Sequence, residues 1–344
     1  MPPRPAPGNP RAGRAYARTM ADDALRPTLL LTRRFPAAVE ARARRDYDVR
    51  QVESDTAPPA ERIVAEAEGC DGVMCAAGDP MGAATLAGLP ERVRIVATFS
   101  VGFDHVDLAA ARGRGLAVTN TPDVLTTATA EIAMSLILMA ARRLGEGERL
   151  VRARQWTGWT PTQLMGVTLE GKRLGVLGMG RIGRRLARMA RGFGMEIHYR
   201  DQQRVPEEDA AGATYHGDDD GFLSAVQFLS MHIPGGEATR NWLSAERIAK
   251  LPKGAIVVNT GRGTTVDDAA LCDALRSGHV RAAGLDVYAG EPDLFAGYHD
   301  APNLTMLPHL GSATEETRDA MGFRCLDNLD ALLRRGEEPP HRVA

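Results

Sequence analysis

A strand, a glycine-rich turn and a helix follow one another between residues 172 and 193, and this succession constrains the fold more than any other feature. The apolar run 174–177 predicts the strand. The turn carries three glycines at the spacing G-x-G-x-x-G: Gly178, Gly180 and Gly183. The helix is predicted from apolar residues at helical spacing: Ile182, Leu186, Met189 and Phe193. This succession is typical of a site that binds a dinucleotide.

Each part of this segment has a physical role in such a site. Gly178 permits a tight turn, Gly180 lets the backbone approach a pyrophosphate, and Gly183 lets the helix pack closely on the strand. The phosphates then lie at the positive N-terminal end of the helix, where Arg181 and Ile182 stand. We therefore expect these five residues to contact the cofactor.

An acidic residue at the end of the next strand tests this interpretation. Asp201 follows the alternating segment 195–200, and a carboxylate there can accept hydrogen bonds from the hydroxyls of the adenosine ribose. The same charge would repel a 2′-phosphate, so the sequence predicts NAD(H) as the cofactor. NADP(H) is the alternative, because Arg200 or Arg204 could turn toward a phosphate. All three charges could also be solvated loop residues.

Length and charge limit the class of protein. A chain of 344 residues is long enough for two domains, and a net charge of −2 gives no basic field that would attract nucleic acid. The longest apolar segment, 132–141, is about half of the roughly 20 residues that span a bilayer, so we predict a buried helix and no membrane partner. The cysteines lack the spacing of a metal site, so we predict no metal and reduced thiols in a cytoplasmic protein: Cys70, Cys75, Cys272 and Cys325.

The first 25 residues differ from the rest of the chain. They hold several prolines and arginines, and the first acidic residue is Asp22. This composition predicts a disordered tail over 1–25, and the prolines argue against an amphipathic targeting helix. The first predicted strand begins near Thr28, so we expect residues 1–19 to be an extension that the fold does not use.

From Thr28 onward, strand-like and helix-like segments alternate, which predicts parallel sheets with crossover helices. Before the glycine turn, strands are predicted at 29–31, 49–52, 72–76, 94–99 and 116–120, with helices from Ala37 and Ala60. After Asp201, strands are predicted at 225–231, 255–259, 282–287 and 304–307, followed by a helical tail over 313–333. The predicted fold class is α/β, with two Rossmann-like, doubly wound parallel-sheet domains.

Longer motifs resemble those of one protein family, in the order that the family has along its chain. They are TFSVGFDHVD at 98–107, NTPDVLTTATAE at 120–131, GWTPTQLMG at 158–166, GKRLGVLGMGRIG at 171–183, VVNTGRG at 257–263, GLDVYAGEP at 284–292 and PHLGSAT at 308–314. From about Thr28 to Leu333 the chain resembles the D-2-hydroxyacid dehydrogenases. Within that family it is most similar to the glyoxylate/hydroxypyruvate reductase branch.

The resemblance implies a domain organisation and an activity. It implies a discontinuous substrate domain of residues 26–122 and 313–344, a dinucleotide-binding domain of residues 123–312, and an active-site cleft between them. The implied activity is the NAD-dependent reduction of small 2-oxo acids such as glyoxylate and hydroxypyruvate, by a homodimer.

Reduction of a 2-oxo acid needs a cation for the carboxylate and carbonyl, and an acid that protonates the oxygen. Arg262 follows a predicted strand, and its guanidinium can grip the carboxylate and polarise the carbonyl. The resemblance makes His309, at the end of another strand, the general acid and a cofactor contact. Glu291 would bond its second nitrogen and favour the imidazolium. Without the motifs, all three would be interpreted as ordinary turn or packing residues.

Further residues follow from the resemblance. The backbone N–H groups of Val101 and Gly102 would bind the substrate carboxylate, and Asp286 would bond the nicotinamide carboxamide. Thr129 would contact a cofactor phosphate, although Thr126 and Thr127 leave that assignment open. The remaining expected cofactor contacts follow other predicted strands: His232, Pro234 and Thr260.

Three points stay open at this stage. Trp159 could be a wall of the substrate pocket, a dimer contact or a core aromatic. Phosphoglycerate dehydrogenase is the enzymatic alternative, although few residues follow the last predicted helix. A nucleotide-sensing binding protein that resembles the C-terminal-binding corepressors is the alternative from another class, and catalytic turnover distinguishes it from an enzyme.

Overall fold

The computed structural model describes residues 26–210 and 212–344. The predicted tail at 1–25 therefore lies outside the described residues. The chain divides into two compact units, of which one contains the residues up to Thr121 together with Met321–Ala344. The other unit is Pro122–Ala320. Among the described residues, no helix is both long and apolar enough to cross a membrane.

The first unit is built on five strands: β1 (Thr28–Leu31), β2 (Asp48–Gln51), β3 (Gly72–Ala76), β4 (Ile95–Phe99) and β5 (Ala117–Thr119). They form a parallel sheet in the order β2-β1-β3-β4-β5. The helices between them are α1 (Ala37–Asp46), α2 (Ala60–Glu66), α3 (Ala83–Gly88) and α4 (Leu108–Gly113). The central strands are largely buried and mostly apolar because helices cover both faces of such a sheet.

The second unit contains seven strands: β6 (Arg173–Leu177), β7 (Glu196–Arg200), β8 (Thr214–Tyr215), β9 (Phe228–Met231), β10 (Ala255–Asn259), β11 (Val280–Leu285) and β12 (Leu304–Met306). They are all parallel, in the order β12-β11-β10-β9-β6-β7-β8. The strand order reverses between β6 and β9. In open α/β sheets, ligands bind in the crevice at the carboxyl ends of the strands at such a switch point.

The helices that follow are α5 (Thr126–Arg142), α6 (Leu144–Arg152), α7 (Arg181–Arg191), α8 (Glu207–Ala210), α9 (Asp219–Ala225), α10 (Ala245–Lys250), α11 (Asp268–Ser277) and α12 (Glu315–Leu329). A π-helical turn, Asp330–Arg334, continues α12. Helix α5 contains the apolar segment 132–141 and is largely buried, and Leu136 contacts Gly284 of β11.

The predicted fold class is confirmed, since both sheets are parallel and have crossover helices. Several details differ from the sequence analysis. The strand predicted at 225–231 begins at Phe228, because residue 225 still belongs to a helix. Strand β8 was not predicted, because two residues carry no periodicity. The inclusion of Phe193 in the apolar stripe was wrong: α7 ends at Arg191, and Phe193 is 46% exposed in the turn that follows. The four cysteines are buried and form no disulfide.

Candidate active site

The glycine turn after β6 lies against the end of β9. Gly178 has a φ of +92°, and a Cβ there would lie 3.0 Å from the carbonyl carbon of His232. A Cβ on Gly183 would lie 2.2 Å from the Gly178 oxygen, so no larger residue fits at the start of α7. A Cβ on Gly180 would meet nothing within 4 Å. The backbone at Gly178 and Gly183 is thus packed against the protein, whereas the space beside Gly180 is empty. A pyrophosphate could approach the backbone there.

The N-terminal end of α7 carries an arginine and an apolar residue. Arg181 is mostly exposed, and its Nε lies 2.6 Å from the Asp123 carboxylate. Ile182 is half-buried and packs against the core beside α5. The cofactor contacts expected at these two residues remain predictions.

Asp201 closes β7 with both carboxylate oxygens bonded to the backbone. Its Oδ2 accepts the Met179 N–H at 2.7 Å, and its Oδ1 accepts the Gln202 N–H at 2.7 Å. A carboxylate has about four lone-pair sites, so ribose hydroxyls can still donate to it. Arg200 is turned to Asp219, with its Nε 2.9 Å from that carboxylate. Arg200, one of the two arginines predicted as possible contacts to a 2′-phosphate, is therefore paired with a carboxylate of the protein.

Three predicted cofactor contacts lie at the ends of β9 and β10. The ring of His232 is hydrogen-bonded on both nitrogens, with Nε2 2.9 Å from Ser230 Oγ and Nδ1 3.3 Å from Thr260 Oγ1. Burial lowers the pKa of His232 to about 4, so the ring is neutral at neutral pH. Pro234 is exposed, and its carbonyl accepts the Thr239 hydroxyl at 2.7 Å.

His309 and Glu291 are paired in the loops that follow β12 and β11. His309 Nδ1 lies 2.8 Å from Glu291 Oε2, while Glu291 Oε1 accepts the Tyr288 N–H at 2.8 Å. Burial works to raise the pKa of Glu291, but the hydrogen bonds from His309 and Tyr288 outweigh it and hold that pKa below its usual value. The carboxylate therefore stays ionised beside the imidazole at neutral pH.

Arg262 follows β10, the strand next to β11. Its carbonyl accepts hydrogen bonds from Asn259 Nδ2 at 2.9 Å and from Thr265 Oγ1 at 2.7 Å, which fix the turn. Its Nη1 donates to the Gly261 carbonyl at 2.8 Å. The Arg262 charge also lowers the pKa of Glu291. Because parallel strands end at one edge of a sheet, the structure brings the arginine, the glutamate and the histidine together.

The backbone of His309 is held in an unusual conformation. Its φ is +54°, in the left-handed region that non-glycine residues rarely adopt. The buried carboxylate of Asp286 accepts the N–H groups of Leu310 at 2.7 Å and Gly311 at 2.8 Å, and the Thr129 hydroxyl donates to the Gly311 carbonyl at 2.9 Å. Burial raises the pKa of Asp286 despite these bonds.

This bracing of the His309 turn was missed by the sequence analysis. No periodicity or motif spacing signals it, because it joins backbone groups that are distant along the chain. Asp286 and Thr129 were predicted as contacts to the nicotinamide and to a phosphate, and those predictions stay open. Thr129 is nonetheless distinguished from Thr126 and Thr127 by its hydrogen bond to the Gly311 carbonyl in the turn that contains His309.

Val101 and Gly102 lie in the first unit, directly after β4. Their carbonyls accept hydrogen bonds from Asn120 Nδ2 at 2.8 Å and from Ser100 Oγ at 2.6 Å. Among the described residues, none accepts a hydrogen bond from either of their N–H groups. A half-buried N–H pair of this kind is suited to an anionic oxygen. Trp159, by contrast, is 78% exposed, which excludes the core-aromatic interpretation.

Comparisons with known proteins decide the family. The model of the NAD-binding domain of D-isomer-specific 2-hydroxyacid dehydrogenases matches residues 134–311. The glycerate dehydrogenase of Hyphomicrobium methylovorum is 42% identical over 307 residues, which cover 89% of this chain and 95% of that protein. The chain belongs to the D-isomer-specific 2-hydroxyacid dehydrogenases.

Two further relatives of this dehydrogenase are informative. The glyoxylate reductase of Aeropyrum pernix is 41% identical over 327 residues, covering 92% of this chain and 96% of that protein. The solved NADPH-dependent glyoxylate/hydroxypyruvate reductase of Sinorhizobium meliloti, in complex with NADP and malonate, is 34% identical, with a TM-score of 0.83. The similarity covers 93% of this chain and 97% of that structure.

The predicted resemblance is thereby confirmed, and with it the class of reaction. The protein is an NAD(P)-dependent oxidoreductase that acts on 2-hydroxy acids. The glycine turn, open at Gly180 and closed at Gly183, fits the dinucleotide that this family binds.

Proposed function

We propose that this dehydrogenase reduces small 2-oxo acids, glyoxylate and hydroxypyruvate among them, with NADH as the preferred donor. The observation that carries the proposal is the convergence of Arg262, Glu291 and His309 at one edge of the second sheet. The names of the relatives support the substrate class, since they include a glycerate dehydrogenase and a glyoxylate reductase.

In the proposed reaction, each residue of the site has a separate role. The glycine turn at 178–183 and Asp201 would hold NADH, which would supply the hydride for C2 of the oxo acid. Arg262 binds the carboxylate and polarises the carbonyl, and the N–H groups of Val101 and Gly102 bind the carboxylate as well. His309 Nε2 donates a proton to the carbonyl oxygen as negative charge develops there. Glu291 accepts the Nδ1–H, which fixes the ring orientation and leaves Nε2 to face the substrate.

A substrate panel tests the proposal directly. Oxidation of NADH and of NADPH is followed at 340 nm with glyoxylate, hydroxypyruvate, pyruvate and 3-phosphohydroxypyruvate. We expect the highest kcat/KM with NADH and one of the first two acids. A preference for the phosphorylated acid would favour the phosphoglycerate dehydrogenase alternative. Cofactor binding without turnover of any acid would favour the binding-protein alternative.

Asp201 supports the preference for NADH, because its carboxylate would lie beside a 2′-phosphate and repel it. We expect the double substitution Asp201→Ser with Gln202→Arg to raise the NADPH-to-NADH ratio of kcat/KM by at least about tenfold, since a guanidinium replaces the repulsive charge. The matched control is Gln202→Arg alone, which adds the cation but keeps the carboxylate. Equal use of both cofactors by the unmodified enzyme would contradict this argument.

We also propose that the enzyme is a homodimer that associates through the segment 144–165. The segment contains five large apolar side chains that are at least half exposed: Leu144, Val151, Trp156, Trp159 and Met165. Helix α6 buries none of its residues and carries charges of both signs, so a second copy related by a two-fold axis can bring opposite charges together.

Light scattering after size-exclusion chromatography tests this surface. We expect Val151→Glu to shift the protein from dimer toward monomer, because it places an unpaired charge in the buried contact. Phe193→Glu, at an exposed apolar residue outside the segment, should leave the dimer intact. A monomeric unmodified protein, or a dimer that tolerates Val151→Glu, would refute the proposed interface.

A further inference from the structure

The turn that carries Arg262 is in direct backbone contact with the segment that leads to Glu291. A Cβ on Gly263 would lie 1.8 Å from the carbonyl carbon of Tyr288 and 2.2 Å from the nitrogen of Ala289. Gly263 is buried and opens the 3-10 turn Gly263–Thr265. The peptide between Tyr288 and Ala289 therefore occupies the space that any side chain at position 263 would need.

Arg262, Glu291 and His309 are called the trio below. Tyr288 connects the same segment to Glu291 and to the strand that leads to His309. Its N–H donates to Glu291 Oε1 at 2.8 Å. Its buried hydroxyl lies 2.9 Å from the Leu307 carbonyl and 3.1 Å from the Leu285 carbonyl. Leu307 lies two residues before His309, so one residue touches the Arg262 turn, the glutamate and the strand end that leads to the histidine.

We propose that Gly263 is a positioning residue that sets the spacing between the Arg262 guanidinium and the Glu291–His309 pair. The proposal rests on the function proposed above for these three side chains. The guanidinium and the imidazole must both reach the same carbonyl oxygen, one to polarise it and the other to protonate it. A misplacement of about 1 Å can lower the rate of such a reaction about 10²-fold. The absence of a Cβ at position 263 lets the two backbones approach closely enough to hold that spacing.

The substitution Gly263→Ala tests the spacing. The new methyl group must push the 288–289 peptide away, because it would meet backbone atoms that cannot rotate aside. We expect kcat/KM for glyoxylate to fall about 10²-fold. Since the glycine turn at 178–183 is untouched, the Kd for NADH should stay within about threefold of the unmodified value.

Gly166→Ala is the matched control for general destabilisation. A Cβ there would lie 2.2 Å from the Ala141 carbonyl oxygen, a comparable backbone clash that involves none of the trio. We expect both variants to lower the melting temperature and only Gly263→Ala to lower kcat/KM by a large factor. Equal activity losses in the two variants would overturn the proposal.

A double-mutant cycle separates positioning from stability. If Gly263 acts through the trio, His309→Gln should cost much less activity in the Gly263→Ala background than in the unmodified enzyme, because the acid is already misplaced. If the activity loss of the double variant equals the product of the two single losses, the inference is overturned, while the proposed roles of Arg262, Glu291 and His309 remain. Full activity of His309→Gln in the otherwise unmodified enzyme would instead refute the proposed function.

Tyr288→Phe takes the place of Gly263→Ala if the alanine variant does not fold. This change removes only the hydroxyl that bonds the Leu307 carbonyl and keeps the buried ring. We expect a several-fold loss of kcat with the Kd for NADH unchanged, and again a reduced cost of His309→Gln in this background. An unchanged kcat in a folded Tyr288→Phe enzyme would then overturn the proposal.

Discussion

Replacing His309 by Gln is expected to lower kcat for reduction of the 2-oxo acid by about 10²-fold or more, the range for loss of a general acid. Glutamine can keep a hydrogen bond to Glu291 but cannot deliver a proton to the developing alkoxide. Binding of NADH, measured by fluorescence titration, should be nearly unchanged, because the glycine turn and Asp201 are untouched. His279→Gln is the control, since that ring bonds the Ile248 carbonyl away from the trio.

The pH dependence provides a second test of the same residue. Reduction needs an acid that protonates the carbonyl oxygen, so its rate should fall as pH rises, while oxidation of the hydroxy acid, which needs a base that accepts that proton, should become faster. The pKa of Glu291 lies below its usual value, so this carboxylate does not titrate in the neutral range. The two opposite slopes should therefore disappear in His309→Gln. Near-normal turnover with unchanged slopes would eliminate His309 as the acid.

The fold, and the strands that lead to the candidate site residues, could be predicted because their signals are local. The strands that end before Arg262 and His309 are short apolar runs bounded by glycine or proline, and burial on both faces of a parallel sheet requires such runs. The glycine turn was recognisable because each of its three glycines meets a different steric requirement: a tight turn, the approach of a pyrophosphate, and close packing of the helix on the strand. Phe193 was misassigned because helical periodicity continued past Arg191, whereas the glycines at 192 and 194 end the helix.

The contacts that hold the site in place could not be predicted. The left-handed backbone of His309, the acceptance of two N–H groups by Asp286 and the contact of Gly263 with Tyr288 all join atoms that are far apart in sequence. Such contacts depend on how neighbouring strand ends are aligned, and residue type alone does not encode that alignment. Asp286 illustrates the difference: the family resemblance implied a contact to the nicotinamide, which stays a prediction, whereas the hydrogen bond from the Gly311 N–H to its carboxylate had no signal in the sequence.

Removing the guanidinium of Arg262 is expected to lower kcat/KM for glyoxylate by about 10²- to 10³-fold, as loss of a group that stabilises developing charge does elsewhere. In Arg262→Gln we expect KM to rise and kcat to fall, because the side chain binds the carboxylate in the ground state and polarises the carbonyl in the transition state. Arg262→Lys keeps the charge without the planar fork, so it should recover part of the binding and little of the rate.

Steady-state kinetics with NADH at saturation separates these effects, and Arg276→Gln, at an exposed arginine on α11, is the control. The comparison of lysine with glutamine at position 262 is decisive, because charge alone would make the lysine variant nearly fully active. A lysine enzyme with normal kcat would mean that the guanidinium geometry is dispensable. A loss confined to KM would mean that Arg262 only binds substrate, and His309 would then have to act on a carbonyl that no cation polarises.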